Sequence, residues 1–348
     1  MVIGMVKVAS MLLNVVFIWW FLRPIMKKFR RARLFVVNFD GFFVKKPTGK
    51  VAHKCMKLAW RCLFLMEEGD AIIVAHAVPP AFIDYFERVR GFRPIIYTIA
   101  HVPMPLDIVS AIMQDRSLMR RLLADIKKRR WIILQPLISS TEVFELAALL
   151  RIPVSGTPRH LVGKEENLVQ VLNSKVVFAE WCDKLGYRTA GQPSYSIGLV
   201  RYAAERLISH GQIAVIRENI SAGGLGNGCY SSMADVDAML AGIPNEPGFA
   251  AMVGQYLDLP HHVSVLFRVT WWGVEIISSC DRRLKDRTES VGGTTPSPDM
   301  PGLKEARRIV RKYGRHLWKL GYRGIADIDF AFSEDGQTIV LFESNARL

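Results

Sequence analysis

The chain is poor in cysteine, poor in histidine and short of acid. Its five cysteines, Cys55, Cys62, Cys182, Cys229 and Cys280, are scattered through 348 residues with no Cys-x-x-Cys pair. An odd, dispersed count excludes a disulfide framework and points to reduced thiols in the cytoplasm. The eight histidines offer no zinc spacing. His261 and His262 are adjacent, would point to opposite faces of a strand, and have no third ligand nearby. No histidine-paired nucleophile signature is visible, so Cys229 reads as a structural thiol. Repeats and low-complexity tracts are absent. With 50% hydrophobic and 22% charged residues the composition is globular, and the length allows two or three domains with substantial cores.

The acid deficit is local. Lys and Arg outnumber Asp and Glu by 46 to 32, giving a net charge of +14. Across residues 23–61, twelve basic residues face one acid, Asp40. No aromatic-interleaved nucleic-acid motif accompanies them, so no nucleic-acid partner is expected. Just upstream, Val2 to Leu22 is apolar except for Lys7, Ser10 and Asn14, and ends in Phe17-Ile18-Trp19-Trp20-Phe21-Leu22. That length just suffices to cross a hydrocarbon core, the tryptophans suit an interface, and the cationic cluster after it places the rest of the chain on the cytoplasmic side. Residues 1–33 are thus a candidate membrane anchor, spanning or lying on the membrane surface. The competing reading is a buried helix or a misassigned start.

The carboxyl end carries the chemistry. Ile325 to Phe332, the turn Ser333-Glu334-Asp335-Gly336-Gln337 and Thr338 to Phe342 read as an antiparallel hairpin. Asp329 and Glu343 then lie on neighbouring strands, and Glu343, Asn345 and Arg347 share a face by the period-two rule. Two carboxylates and an amide oxygen are a hard set suited to Mg²⁺ (or Mn²⁺). Arg347 offers a donor fork for a phosphoryl oxygen. A polar strand end facing water is the competing reading. Upstream, Arg217 precedes a loop containing Gly223, Gly224, Gly226 and Gly228. Successive glycines let backbone N–H groups cradle an anion, but the spacing is neither that of a Walker loop nor of a Rossmann fingerprint. A mobile hairpin tip is the plain alternative.

In this order the residues resemble the ATP-grasp superfamily of carboxylate–amine ligases, over roughly 155–348. The resemblance implies that Lys175 and Arg217 hold ATP phosphates, with Gly223, Gly224 and Gly226 as a flap. Lysine is commoner than arginine at the Arg217 position. It also implies that Gln255, Tyr256 and Leu257 read the adenine, and that Asp329, Glu343 and Asn345 carry Mg²⁺ while Arg347 steadies the transferred phosphoryl. Gln255 replaces a common acid, and His261-His262 stand where a ribose-binding Glu often sits, which places His262 at the nucleotide. Arg282 or Arg283, in a mixed-charge run that otherwise reads as a solvated loop, and likewise Arg268, are candidates for binding a substrate carboxylate. The chain ends one residue after Arg347 where many relatives continue, so it is either a short form or truncated.

Residues 34–158 alternate short apolar runs with helix-period stretches such as Asp107 to Lys127 and Ser140 to Leu150. That pattern predicts a doubly wound, largely parallel sheet, and it resembles the domain preceding the ATP-grasp fold in peptide ligases of the pheganomycin type. The expectation is therefore an α/β chain: a pre-ATP-grasp doubly wound domain over 34–158, an ATP-grasp nucleotide subdomain over 159–257 and a catalytic subdomain over 258–348. The implied activity is ATP-dependent amide or peptide bond formation from small-molecule carboxylate and amine substrates through an acyl phosphate. The alternative is a membrane-associated nucleotide-binding protein of the same fold without turnover.

Overall fold

A computed structural model describes residues 32–42, 47–128, 132–163, 167–220, 227–243, 249–285 and 289–346. The amino-terminal segment, the glycines of the flap and Arg347 lie outside the described residues.

Alternation of strand and helix builds the first layer. β1 (Ala32–Val36), α1 (Gly49–Leu58), β2 (Ala71–Val74), α2 (Pro80–Arg90), β3 (Ile95–Thr98), α3 (Ile108–Gln114), α4 (Arg116–Lys128), β4 (Ile132–Pro136) and α5 (Thr141–Leu150) follow in order. The four strands are parallel in the order β3-β2-β1-β4. All four residues of β2, Ala-Ile-Ile-Val, are buried, as a parallel strand covered on both faces requires. Leu34, Val36 and Ile73 pack with Val109, Leu118 and Leu146 from the helices. Phe35, Ile72 and Val74 face the other way, into a core shared with Phe178, Val263 and Phe267 of the remaining chain. The helix-period stretch from Asp107 to Lys127 is two helices, not one. Asp115 breaks it, its carboxylate accepting the N–H of Leu118 at 2.9 Å and of Ala100 at 3.0 Å. A side chain that satisfies free N–H groups at a helix start competes with continuing the preceding helix.

The second layer comprises α6 (Leu168–Leu172), α7 (Lys175–Asp183), β5 (Gln192–Ser194), α8 (Ile197–Ser209), β6 (Ala214–Glu218), β7 (Asn227–Tyr230), α9 (Met233–Ala241) and β8 (Ala251–Gln255). Its antiparallel sheet runs β5-β8-β6-β7, backed by Val200, Ala204 and Val236 from α8 and α9. The third has β9 (His261–Thr270), β10 (Gly273–Lys285), β11 (Glu289–Thr294), α10 (Leu303–Lys319), β12 (Gly324–Phe332) and β13 (Ile339–Ala346). This sheet is antiparallel in the order β11-β10-β9-β12-β13.

Helix α10 lies on that five-stranded sheet through Leu303, Ala306, Val310, Tyr313 and Leu317, the spacing of one helix face. Gly314 is its point of closest approach. A Cβ there would sit 2.6 Å from Val274 Cγ1 and 3.2 Å from the Phe267 ring. In an exposed helix Gly→Ala stabilises; here overpacking reverses the sign. Gly314→Ala should cost about 1–3 kcal/mol, read as a lower denaturant midpoint. An unchanged or raised midpoint would show that the helix is free to lift off the sheet.

Candidate active site

The hairpin β12–β13 pairs Asp329 with Glu343 and Asp327 with Asn345. Its turn closes where the sequence places it, with the Ser333 N–H donating to the Thr338 carbonyl at 3.0 Å. Between Asp329 and Phe330 the register slips, so that Phe330 faces Leu341 and Phe342 is the extra residue. Strict alternation from Glu343 would send Phe342 to the far face. The bulge instead lets Phe342 and Glu343 line the same cleft.

Two cations are buried beside these carboxylates. Lys175 is 2% exposed, and its Nζ lies 3.1 Å from Glu343 Oε2. Its position is set by its neighbours. Ser174 caps α7 by accepting the Val177 N–H, and Asn219 accepts the Lys175 N–H on its carbonyl and the Val176 N–H on Oδ1, each at 3.1 Å. Asn173, the residue that caps the end of α6, ties that end to β13, donating from Nδ2 to the Ala346 carbonyl at 2.7 Å and accepting the Ala346 N–H at 3.1 Å. Arg217, on β6, spans the two antiparallel sheets. It donates to the carbonyls of Phe342 and Ala190, each at 3.1 Å, and its guanidinium lies 5.5 Å from the centre of the Phe342 ring. Its Nε has no partner among the described residues. Burial pulls the Arg217 pKa down, partly opposed by the charge of Glu343.

The other carboxylate has its own cation. Arg282 on β10 forms a close ion pair with Asp329, whose other oxygen accepts the hydroxyl of Ser264. The Asp329 charge raises the Arg282 pKa. His262 sits beside them, its pKa lowered by burial first and by the Arg282 charge second.

These side chains line one cleft between the two antiparallel sheets, about 840 Å³ measured out to its open mouth. Arg217, Gln255, Tyr256, Leu257, His262, Arg282, Asp329 and Glu343 all border it. Lys175 reaches its edge through Glu343, and Asn345 is buried two residues further along β13. The segment Gln255–Leu257 forms the wall opposite the hairpin. It is reached through Gly254, where a Cβ would sit 2.5 Å from the Ala190 carbonyl oxygen. Arg268 is not brought to this cleft. It borders a different one with Trp271 and Arg323, and its nearest acid is Glu275 at 3.8 Å. His261 likewise turns away, towards Glu334. Phe342, Asn227, Cys229 and Ser264 belong to the site without having been singled out as such from sequence. Only Cys229 drew notice there, and it was read as structural.

The donor chemistry suits Mg²⁺: hard oxygens of Asp329, Glu343 and Asn345 on paired strands. Among the described residues no group of three His, Cys, Asp or Glu side chains converges on a metal position, and both carboxylates are neutralised by Arg282 and Lys175. In kind the oxygens fit Mg²⁺, with each carboxylate paired to a cation in this structure.

Residues 59–152 match the family described as the Pre ATP-grasp domain. Over most of its length the chain superposes on a biotin carboxylase from Campylobacter jejuni, 14% identical, covering 92% of this chain and 66% of that one with a TM-score of 0.54. The chain carries a Pre ATP-grasp domain followed by an ATP-grasp fold. A similar match is the biotin carboxylase domain of Hydrogenobacter thermophilus 2-oxoglutarate carboxylase, at 13% identity, 91% and 64% coverage and a TM-score of 0.53. Another is N5-carboxyaminoimidazole synthase from Aspergillus clavatus, at 13%, 91%, 70% and 0.51. The chain spans just under two thirds of the length of the two carboxylases. No curated protein matches it in sequence. The cleft lies between the two antiparallel sheets of the ATP-grasp fold.

Two tests follow from this geometry. Removing the Asn173 amide leaves the Ala346 N–H and carbonyl without their partner, so Asn173→Ala should cost about 1–3 kcal/mol and loosen the end of β13. Hydrogen exchange at Ala346 should rise; unchanged protection would show that the clasp is dispensable. The His262 pKa is lowered from 6.5. The unfolded chain therefore binds the extra proton first as pH falls, and wild type should lose stability relative to His262→Gln just below pH 6.5. Parallel pH profiles of the two denaturation midpoints would refute that assignment.

Proposed function

We propose that the chain is an ATP-dependent carboxylate–amine ligase. The observation that supports this most directly is the pairing of Asp329 with Glu343 inside a cleft lined by buried Arg217, with buried Lys175 at its edge on Glu343. Two of the structures with this fold were solved with nucleotide, one as a β,γ-ATP complex and one with MgADP and bicarbonate.

In this reading the adenine lies between Gln255–Leu257 and the Phe342 and His262 rings, which approach to 6.1 Å between centroids. Lys175 and Arg217 face the phosphates. Arg217 is held by the carbonyls of Phe342 and Ala190, so it supplies positive charge without having to reorganise, while Lys175 exchanges Glu343 for phosphate. Asp329, Glu343 and Asn345 would hold Mg²⁺, which when bound neutralises phosphate charge. Arg282 would exchange Asp329 for the substrate carboxylate, which its two-pronged guanidinium can bind. A carboxylate oxygen attacks the γ-phosphorus, the bond to the ADP oxygen breaks, and an acyl phosphate forms. The amine nitrogen then attacks the acyl carbon, phosphate leaves, and the amine proton passes to water. No protein nucleophile takes part, in keeping with the role of Cys229 as one wall residue among many.

The ready-made pairs Arg282–Asp329 and Lys175–Glu343 also suit the second reading, a nucleotide-binding protein without turnover. Its proposed membrane attachment rests on residues outside those described. Among the described residues no helix is long and apolar enough to cross a membrane. ADP release with Mg²⁺ and pooled amino acids separates the two readings. Glu343→Gln should lower that release by at least about a hundredfold, and it should also lower the unfolding midpoint, because buried Lys175 loses its carboxylate partner. Nucleotide binding with no ADP release under any acceptor would favour the second reading.

A further inference from the structure

The surface around α10 gathers charge of one sign beside unburied aromatic rings. Lys304, Arg308, Arg311, Lys312, Arg315 and Lys319 are mostly exposed along it, and the helix's single acid, Glu305, is engaged by Arg308 at 2.5 Å. Positions 304, 308, 311, 315 and 319 follow the three-and-four spacing of one helix face; the opposite face is used up in the core. At the carboxyl end of α10, Trp318 donates its indole N–H to the Trp271 carbonyl at 3.3 Å, joining the helix to the β9–β10 turn. There Trp271 is 64% and Trp272 97% exposed, with Leu320 at 40% alongside.

We propose that α10 and the Trp271-Trp272 turn dock on an anionic lipid bilayer. The rings would sit at headgroup level, and the cations of α10 would lie over acidic headgroups. Tryptophan favours that depth because its ring is largely apolar while its N–H still needs a polar partner. A row of cations with one engaged acid complements a negative surface. A single-stranded nucleic acid would need open ring faces for stacking. The Arg323 guanidinium already lies over Trp271 at 4.7 Å and Trp318 at 5.4 Å, which leaves Trp272 as the one open ring of the three, while Leu320 offers aliphatic surface that suits hydrocarbon and not a base. Trp271 lies nine residues along the chain from His262 of the nucleotide cleft, roughly 30 Å at the rise of a strand, so docking there leaves the cleft in water. The proposal is independent of Val2 to Leu22 and of the ligase reading.

The test uses full-length protein with vesicles of neutral lipid and vesicles containing an added anionic lipid, followed by hydrogen exchange. Anionic vesicles should slow exchange in peptides covering 268–276 and 311–321, and neutral vesicles should do so far less. Arg311→Gln with Arg315→Gln should weaken anionic-vesicle affinity by about thirtyfold, at roughly fivefold per cation. Trp272→Ala should remove the protection of the turn. Both changes are at the surface, so unfolding midpoints should not move. A vesicle-bound chain with unchanged exchange in both peptides would overturn the proposal and assign attachment to Val2–Leu22. Protection by a single-stranded oligonucleotide with none from anionic vesicles would overturn it in favour of a nucleic-acid surface, and no binding to anionic vesicles would end it outright.

Discussion

Positive charge buried between two sheets is the constraint around which this site is organised. Lys175 and Arg217 have almost no access to water, and a buried cation is costly unless carboxylates or carbonyls take over its hydration. Glu343 does this for Lys175, and the carbonyls of Phe342 and Ala190 do it for Arg217. All of these except Ala190 sit on β13. The last strand of the chain is therefore held as much by electrostatics at the cleft as by its ladder with β12. The Asn173 clasp on Ala346 serves the same end from the helix side.

The bulge at Phe342 follows from a competing demand. Glu343 must face Lys175, while an aromatic ring must also reach the cleft to lie under Arg217 and beside His262. Adjacent residues of a regular strand cannot both point the same way. One extra residue resolves the conflict at the cost of a local break in the ladder. Arg282 and Ser264 meet a similar demand on the other side, holding Asp329 from β10 and β9. The carboxylates are thus kept apart from each other's charge until something more negative than they are competes for the cations.

Much of the fold was legible because its signals are local. The runs at 71–74 and 95–98 are short, apolar and β-branched, and they form strands where their composition says. The hairpin turn at Glu334-Asp335-Gly336 closes as its residues dictate. Asp115 shows the limit. Periodicity runs through it unbroken, and only its bonds to Ala100 and Leu118 reveal a boundary, the first of them to a residue in a separate connection. Nothing in the hydrophobic pattern encodes that bond.

The sequence by itself determined which groups are available: oxygen ligands spaced by two on a strand, a cation at the start of a helix, another at the end of an apolar run. Their types and short-range spacing limit the chemistry, because strand and helix periods act over a few residues. Only the tertiary structure decided that Lys175 meets Glu343, that Arg282 and not Arg268 reaches Asp329, and that Phe342 shares their face. Those pairings join residues tens to more than a hundred positions apart, and they depend on strand register and a bulge. Register is fixed by how whole faces pack, a property of the assembled core and not of any window of the chain.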